Sequence, residues 1–255
     1  MTPENGVSRP LRDFFYSLVR NHKETSVISH SRFPLVTRAL IVACVVLLVG
    51  CATAPSPSAS AACPIPLNSK VANSCIVTAQ ALWRGARPDA AAAAALVEMG
   101  VKTVVNLEWL LDDRKSFEEA SVAADKVYEV QYFRVPDWEP LVVIAPSKLD
   151  NHVAHFIAIT RTQPKPIFVH CRSGQNRTGV MVAAYRVFNG ADIEETIAEM
   201  GGYGGIWFKN DAEYIRTLTV QRRAQLEGRI EEWIPKLRRD AQILCSNTKC
   251  TANAS

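Results

Sequence analysis

Short apolar runs and amphipathic stretches take turns along most of the chain, and their periods differ. Residues 74–86, SCIVTAQALWRGA, alternate loosely and predict a strand or hairpin with Trp83 inward. Pro88-Asp89 predicts a helix start, with Asp89 as N-cap, an alanine-rich body to Met99 and Gly100 just past its end. KTVVNL (102–107) predicts a buried strand, RKSFEEASVAADK (114–126) a helix, YEVQYFRV (128–135) a strand and PDWEPL a loop. Over 146–161, Leu149, Val153, Phe156 and Ile157 fall on one helical face. Ile167, Phe168 and Val169 form a short apolar run, and beyond it only helices are expected: 177–189, 191–200, and one or two between 209 and 243. In QRRAQLEGRIEEWIPKLRRD, Leu226, Ile230, Trp233 and Leu237 keep helical spacing for packing, with charge on the outer face. Strands alternating with helices imply an α/β fold: one domain with a central, mostly parallel sheet flanked by helices and a helical C-terminal end.

The first fifty residues follow a different rule. Arg32 and Arg38 precede an apolar run from Ala39 to Val49, too short for a membrane span of roughly 20 residues. The run has the proportions of an export signal. Its ending, Leu48-Val49-Gly50-Cys51, resembles a bacterial lipobox, which implies lipidation of Cys51 and an exported, membrane-anchored lipoprotein facing the periplasm. A signal of ordinary length begins near Leu35, so residues 1–34 are expected to be upstream sequence translated from a start assigned too early. Residues 52–72 open with ATAPSPSASAA and are expected to be a flexible tether. The expected domain covers 73–245 and a tail 246–255.

Composition fits this division. The chain has 255 residues, 48% of them hydrophobic and 21% charged, enough for one good core. Its net charge of +4 is concentrated in residues 1–50; 23 basic and 22 acidic residues remain outside them. A nearly neutral body gives no electrostatic case for nucleic acid. Of seven cysteines, Cys44 leaves with the signal, Cys51 takes lipid and Cys171 sits in a loop with chemistry of its own. Cys63, Cys75, Cys245 and Cys250 can form two disulfides outside the cytoplasm, in any of three pairings, or remain free.

That loop lies in IFVHCRSGQNRTGVMVAAYR, residues 167–186, where a buried strand meets the start of a helix. Ligands of α/β sheets settle at such places. A turn of this kind can aim successive backbone N–H groups inward at an anion, and the helix adds its positive end. Gly174 permits close approach of backbone to ligand, and Arg177 offers a planar fork for two phosphate oxygens. The same surroundings favour a thiolate, the nucleophilic form of a cysteine. A proton donor must come from another loop. RVPDWEP follows a strand ending on the same side, which makes Asp137 the candidate; Glu139, Asp112, Asp113 and Asp150 compete.

HCRSGQNRTG closely resembles the signature of cysteine-dependent protein tyrosine and dual-specificity phosphatases: His-Cys, five residues, Arg, then Thr or Ser, then Gly. LWRGARPDAAAAAALVEMGVKTVVNLE (82–108) resembles the opening of their bacterial dual-specificity-like branch, and the likeness covers roughly residues 75–205. The resemblance implies Cys171 as nucleophile, Arg177 as phosphate clamp, Thr178 assisting the thiolate and phosphocysteine breakdown, and His170 supporting the loop without touching substrate. Arg172, Ser173, Gly174, Gln175 and Asn176 would supply backbone donors to the phosphate, and Asp137 matches the general acid. Neither cofactor nor metal is implied. Glu108 stands where related sequences carry arginine, a residue that mainly supports the loops. The implied reaction is phosphomonoester hydrolysis through phosphocysteine, on phosphotyrosine or phosphoserine/threonine in proteins.

Other readings remain open on the sequence alone. A phosphoinositide or other small phosphomonoester is an alternative substrate, although Arg172 is the only basic residue among the loop's variable positions. A phosphate-binding module without turnover is the rival from another class, and a rhodanese-type sulfurtransferase also uses a looped cysteine, of different length. Trp138 either lines the mouth of the pocket or packs its loop. His152 and His155, three apart on one helix, lack a third ligand and read as a solvated face rather than a metal site.

Overall fold

The computed structural model describes residues 63–243, apart from 64, 68–69, 124–125 and 241. Its strands are β1 (Cys75–Thr78), β2 (Leu82–Ala86), β3 (Thr103–Glu108), β4 (Val122–Ala123), β5 (Lys126–Val127), β6 (Gln131–Asp137), β7 (Ile167–Cys171) and β8 (Gln242–Ile243). Its helices are α1 (Ala90–Glu98), α2 (Arg114–Ser121), α3 (Leu141–Ile144), α4 (Pro146–Thr162), α5 (Asn176–Phe188), α6 (Ile193–Gly201), α7 (Phe208–Arg216) and α8 (Val220–Asp240). Six strands form one sheet in the order β1-β2-β7-β3-β6-β8. The four central strands are parallel, and β1 and β8 run antiparallel at the edges. The α/β expectation therefore holds, with helices on both faces.

Side-chain alternation decides which helices cover which face. Val104 and Phe168 point to one side, where α1 and α2 contribute Leu96, Val97 and Phe117. Val105, Ile167 and Val169 point to the other, against Phe156 of α4, Met181 of α5 and Ile230 of α8. Asp89 caps α1 as expected, its carboxylate accepting from the Ala92 N–H at 2.8 Å. Because β7 lies between β2 and β3, consecutive strands of the chain are parted at the centre of the sheet. A crevice opens at the carboxyl ends of strands where their order breaks in this way.

Four expectations need correction. First, α2 ends at Ser121 rather than 126, and 122–123 pair with 126–127 as a small hairpin. The Ser121 hydroxyl turns back to the Phe117 carbonyl at 2.7 Å, and the β-branched Val122 leaves helical geometry. Second, the strand expected at 128–135 runs from 131 to 137. Its register against β3 slips where Asn106 faces Arg134 but Glu108 faces Asp137, so β6 bulges at Val135-Pro136. Proline is tolerated at such a bulge, and the bulge re-aims the residue that follows it, here Asp137. Third, the packed body starts upstream of residue 73: Leu67 and Val71 are buried in the α1–α2 core, and Cys63 is bonded to Cys75. Fourth, residues 242–243 add an edge strand where a helix was expected. Cys51, Cys245, Cys250, the leader and the tail lie outside the described residues. Among the described residues, no helix is long and apolar enough to cross a membrane.

Candidate active site

The loop after β7 is tied to a different part of the protein at each of residues 173–176. Asn73 Nδ2 donates to the Ser173 carbonyl at 2.8 Å, and Arg84 Nη2 of β2 donates to the Gly174 carbonyl at 2.6 Å. Gln175 Nε2 donates to the Tyr203 carbonyl at 2.8 Å, and Asn176 Nδ2 donates to Asp211 of α7 at 3.0 Å. Gly174 has φ +70°, and a Cβ there would sit 2.6 Å from both Ala86 N and Gly85 C. Only glycine lets the loop lie this close to β2. Above the loop opens a cavity of about 510 Å³, lined by Arg172, Ser173, Gln175, Asn176 and Arg177, with Glu139 and Ile206 across from them. Cys171 is fully buried at the end of β7, and it is the free cysteine among the described residues. Thr178 is buried in the first turn of α5, its hydroxyl without a partner among the described residues.

Two arginines dominate the electrostatics. Arg177 holds Glu139 through Nε at 3.2 Å, and its Nη1 lies 3.5 Å from the carbonyls of Leu107 and Asp137. The Glu139 carboxylate occupies this fork. Arg84 was not anticipated. It is wholly buried beneath the loop, with its guanidinium 3.5 Å from the centre of the Tyr203 ring. Burial brings its pKa down to about 10, opposed by Tyr203 and by Cys171 nearby. Arg84 is therefore a cation at neutral pH and lies within electrostatic reach of the thiol.

His170 packs between Phe117 and Phe168 and is fully buried, which pushes its pKa down despite the pull of Asp113. Its Nε2 is 3.3 Å from Asp113 Oδ2, but the angle does not make a hydrogen bond. Asp113 is held instead by Tyr132 at 2.6 Å and Asn106 at 2.9 Å, which fixes the end of β3 under the loop. Glu108 pairs with Arg87 at 3.3 Å; burial raises its pKa, opposed by Arg87 and then Arg177.

Among the candidate acids, Glu139 lines the cavity, and Asp137 meets Arg177 through its backbone carbonyl. Asp137 is buried at the end of β6, with Oδ1 3.1 Å from His152 Nδ1. Asp113 belongs to the support under His170, and Asp112 lies beside Arg114 and Arg134. Asp150 is buried away from the loop, bonded to Tyr214 and Arg222. Trp138 is half exposed on the loop after β6. His155 stacks on Trp233 at 3.9 Å, whereas His152 meets the Asp137 carboxylate, and among the described residues no group of three His, Cys, Asp or Glu could hold a metal.

Sequence reasoning missed Arg84, Tyr203, Gly205, Asp211 and the pairing of His152. Two signals were present. An arginine at an inward position of an apolar strand needs a buried partner. GGYGGIWF (201–208) carries four glycines in five positions. There Gly205 has φ +121°, and a Cβ on it would meet the Asn176 side chain at 2.5 Å. That glycine lets the 203–206 loop lie against Asn176 at the start of α5.

Comparison with known proteins agrees with this picture. Residues 66–217 match the profile of a family described as DSP-PTPase phosphatase fused to NAD+ kinase. The dual specificity protein phosphatase TpbA of Pseudomonas aeruginosa, from strains UCBPP-PA14 and PAO1, is 31% identical over 143 residues. The match covers 54% of this chain and 60% of the relative, so the chain spans about three fifths of the length of these relatives. The crystal structure of P. aeruginosa TpbA aligns at 23% identity over 71% of this chain and 98% of that one, with a TM-score of 0.47. The core catalytic domain of the PP-IP phosphatase Siw14 from S. cerevisiae, in complex with citrate, aligns at 18% identity over 67% and 97%, with a TM-score of 0.48.

Proposed function

Because the chain belongs to the DSP-PTPase phosphatase family, we propose that it hydrolyses phosphomonoesters through a phosphocysteine intermediate, with phosphotyrosine or phosphoserine/threonine in proteins as the substrate class. The observation that carries this reading is that Cys171 ends β7 and Asp137 ends β6 at the same end of the parallel sheet, where Arg177 Nη1 lies 3.5 Å from the Asp137 carbonyl. In the first step the Cys171 thiolate attacks phosphorus and Arg177 turns from Glu139 to the phosphoryl oxygens. The ester P–O bond breaks, and Asp137 gives the leaving oxygen its proton. In the second step Asp137 takes a proton from water as the water attacks phosphocysteine, releasing phosphate and the thiolate. Thr178 serves that thiolate, and the backbone of residues 172–176 receives the phosphate.

Exposed apolar side chains follow the strands at this end of the sheet, and one lines the cavity. Trp109 is 53% exposed, Leu110 83%, Trp138 48% and Ile206 90%, on loops that follow β3 and β6 and on the cavity wall. Arg134 bonds the carbonyls of Glu108, Trp109 and Leu111, and the Trp109 and Leu111 side chains are exposed. This rim supports an aromatic phosphoester in an apolar sequence over a highly charged inositol phosphate. The lipid at Cys51 and export to the cell envelope belong to the same proposal, and Cys51→Ser should move the full chain from the membrane to the soluble fraction.

The test is phosphate release from an aryl phosphate by the full chain under reducing conditions. Cys171→Ser should abolish it, and Asp137→Asn should lower kcat by roughly 10²–10⁴ on esters with poor leaving groups. Phosphate binding without turnover would make the domain a binding module instead.

A further inference from the structure

Asp137 has a companion that the reaction as written does not use. It ends a bulged strand, is buried, and lies 3.1 Å from Nδ1 of His152 on α4. A buried carboxylate needs a donor, and a carboxylic acid that must give up a proton needs it held at the right oxygen. We propose that His152 is the positioning residue and proton partner of Asp137: the two share one proton, and arrival of a phosphate dianion shifts it from His152 Nδ1 to Asp137 Oδ1. This rests on the phosphatase reading above.

The surroundings suit that role. Carboxylates cluster here: Glu108 is the register partner of Asp137, Glu139 lies two residues on, and Asp211 faces them from α7. Burial pushes Asp211 up to about 6, helped by Asp137 and Glu139. A phosphate dianion brought next to these carboxylates favours the shared proton on the carboxyl side of the pair. The other titratable and charged groups in reach are Tyr214 of α7, Arg177 of α5, Lys236 and Arg222 of α8, and Asp150 and His155 of α4 itself. Tyr214 and Arg222 are engaged with Asp150. His155 is pushed down to about 4 by burial, with His152 and Lys236 adding, so it stays neutral and cannot be the proton source. His152, by contrast, keeps 19% of its side chain exposed and can exchange protons with solvent.

The cycle balances. Before substrate binds, the proton sits on Nδ1 opposite the Asp137 carboxylate. On binding it passes to Oδ1, leaving a neutral imidazole. As the S–P bond forms and the ester P–O bond breaks, it goes to the leaving oxygen. Water attacking phosphocysteine returns a proton to Asp137, and with phosphate gone that proton moves back to His152.

Two measurements on the full chain test this. In the first, kcat is followed against pH for the parent, His152→Gln, Asp137→Asn and the double variant, with para-nitrophenyl phosphate and phenyl phosphate. His152→Gln should lower turnover of phenyl phosphate, the poorer leaving group, about tenfold or more, and barely alter that of the nitrophenyl ester. The basic limb of its profile should move to lower pH, because the loaded state then depends on the carboxyl alone. In the Asp137→Asn background, removing His152 should cost nothing further. Equal losses on both esters, or losses that add to those of Asp137→Asn, would overturn the pairing. The second measurement needs no turnover: ring-nitrogen NMR of His152 during titration with inorganic phosphate. Its Nδ1 signal should move toward the neutral-imidazole position in the parent and not in Asp137→Asn; no movement in the parent would overturn the proposal. A parent that turns over neither ester refutes the phosphatase reading, while the NMR response still decides the pairing.

Discussion

Gly174→Ala is the substitution that the site tolerates least for its size. The added Cβ would lie 2.6 Å from Ala86 N and Gly85 C and 2.8 Å from Gly85 O, all backbone atoms of β2. That strand is hydrogen-bonded on both sides, by β1 and β7, so the loop must yield. Reaching ordinary contact at about 3.4 Å needs a retreat of about 0.8 Å. The Arg84 bond to the Gly174 carbonyl, now 2.6 Å, would stretch beyond useful length in the same movement. An alanine at φ +70° costs about 1 kcal/mol, and losing a hydrogen bond from a buried cation costs about 1.5–3 kcal/mol. The sum, about 2–4 kcal/mol after relaxation, lowers Tm by roughly 5–15 °C for a domain of this size. A displacement near 1 Å in the groups that hold the phosphate costs about 10²-fold in kcat/KM. Gly190→Ala separates the two causes: its φ is +89°, but nothing lies within 4 Å of the new carbon. It should cost about 1 kcal/mol with activity unchanged. The assay pairs thermal melting with aryl phosphate kinetics on both variants. A Gly174→Ala protein within threefold of the parent's kcat/KM, and no less stable than Gly190→Ala, would refute the reasoning.

Two further outcomes concern stability. The Asp211 carboxyl, pushed up to about 6 by burial, binds its proton more tightly folded than unfolded. Its favourable contribution is complete near pH 4 and is lost as pH rises through 6, so Asp211→Asn should match the parent near pH 4 and exceed it by up to about 3 kcal/mol above pH 7. Equal stabilities at both ends of that range, in denaturant melts, would remove Asp211 as a buried acid. The Cys63–Cys75 disulfide closes a separation of 12 residues and should be worth about 3 kcal/mol, so reductant should lower the parent's Tm by roughly 6–12 °C and leave Cys75→Ser unmoved. A parent indifferent to reductant would contradict the bond.

Much of the site was legible because its chemistry is contiguous. Cys171, the glycine at 174 and Arg177 fall within seven residues, and a strand running into a helix fixes their common direction before any tertiary contact is known. Asp137 was readable for a related reason: in a parallel sheet the loops after successive strands emerge at one end. What joins Asp137 to His152 was not readable. It depends on the bulge at Pro136, which turns the carboxyl toward α4. Arg84 looked like an oddity in an apolar strand because its partners, Gly174 and Tyr203, lie about 90 and 120 residues away in sequence. The end of α2 was misjudged because Val122, Ala123 and Val127 suit a helix face and a small hairpin equally. The start of the domain was misjudged because Leu67 and Val71 sit among proline, asparagine and serine, which hide two anchors in a sequence that looks like linker.

The central claim is that Cys171 carries phosphate during turnover. Acid quenching of the Asp137→Asn protein during hydrolysis of an aryl phosphate, followed by mass spectrometry, tests it most directly. The account predicts a phosphoryl group on the peptide containing Cys171, absent in Cys171→Ser. Hydrolysis that continues with no phosphorylated cysteine, and that survives Cys171→Ser, would contradict it.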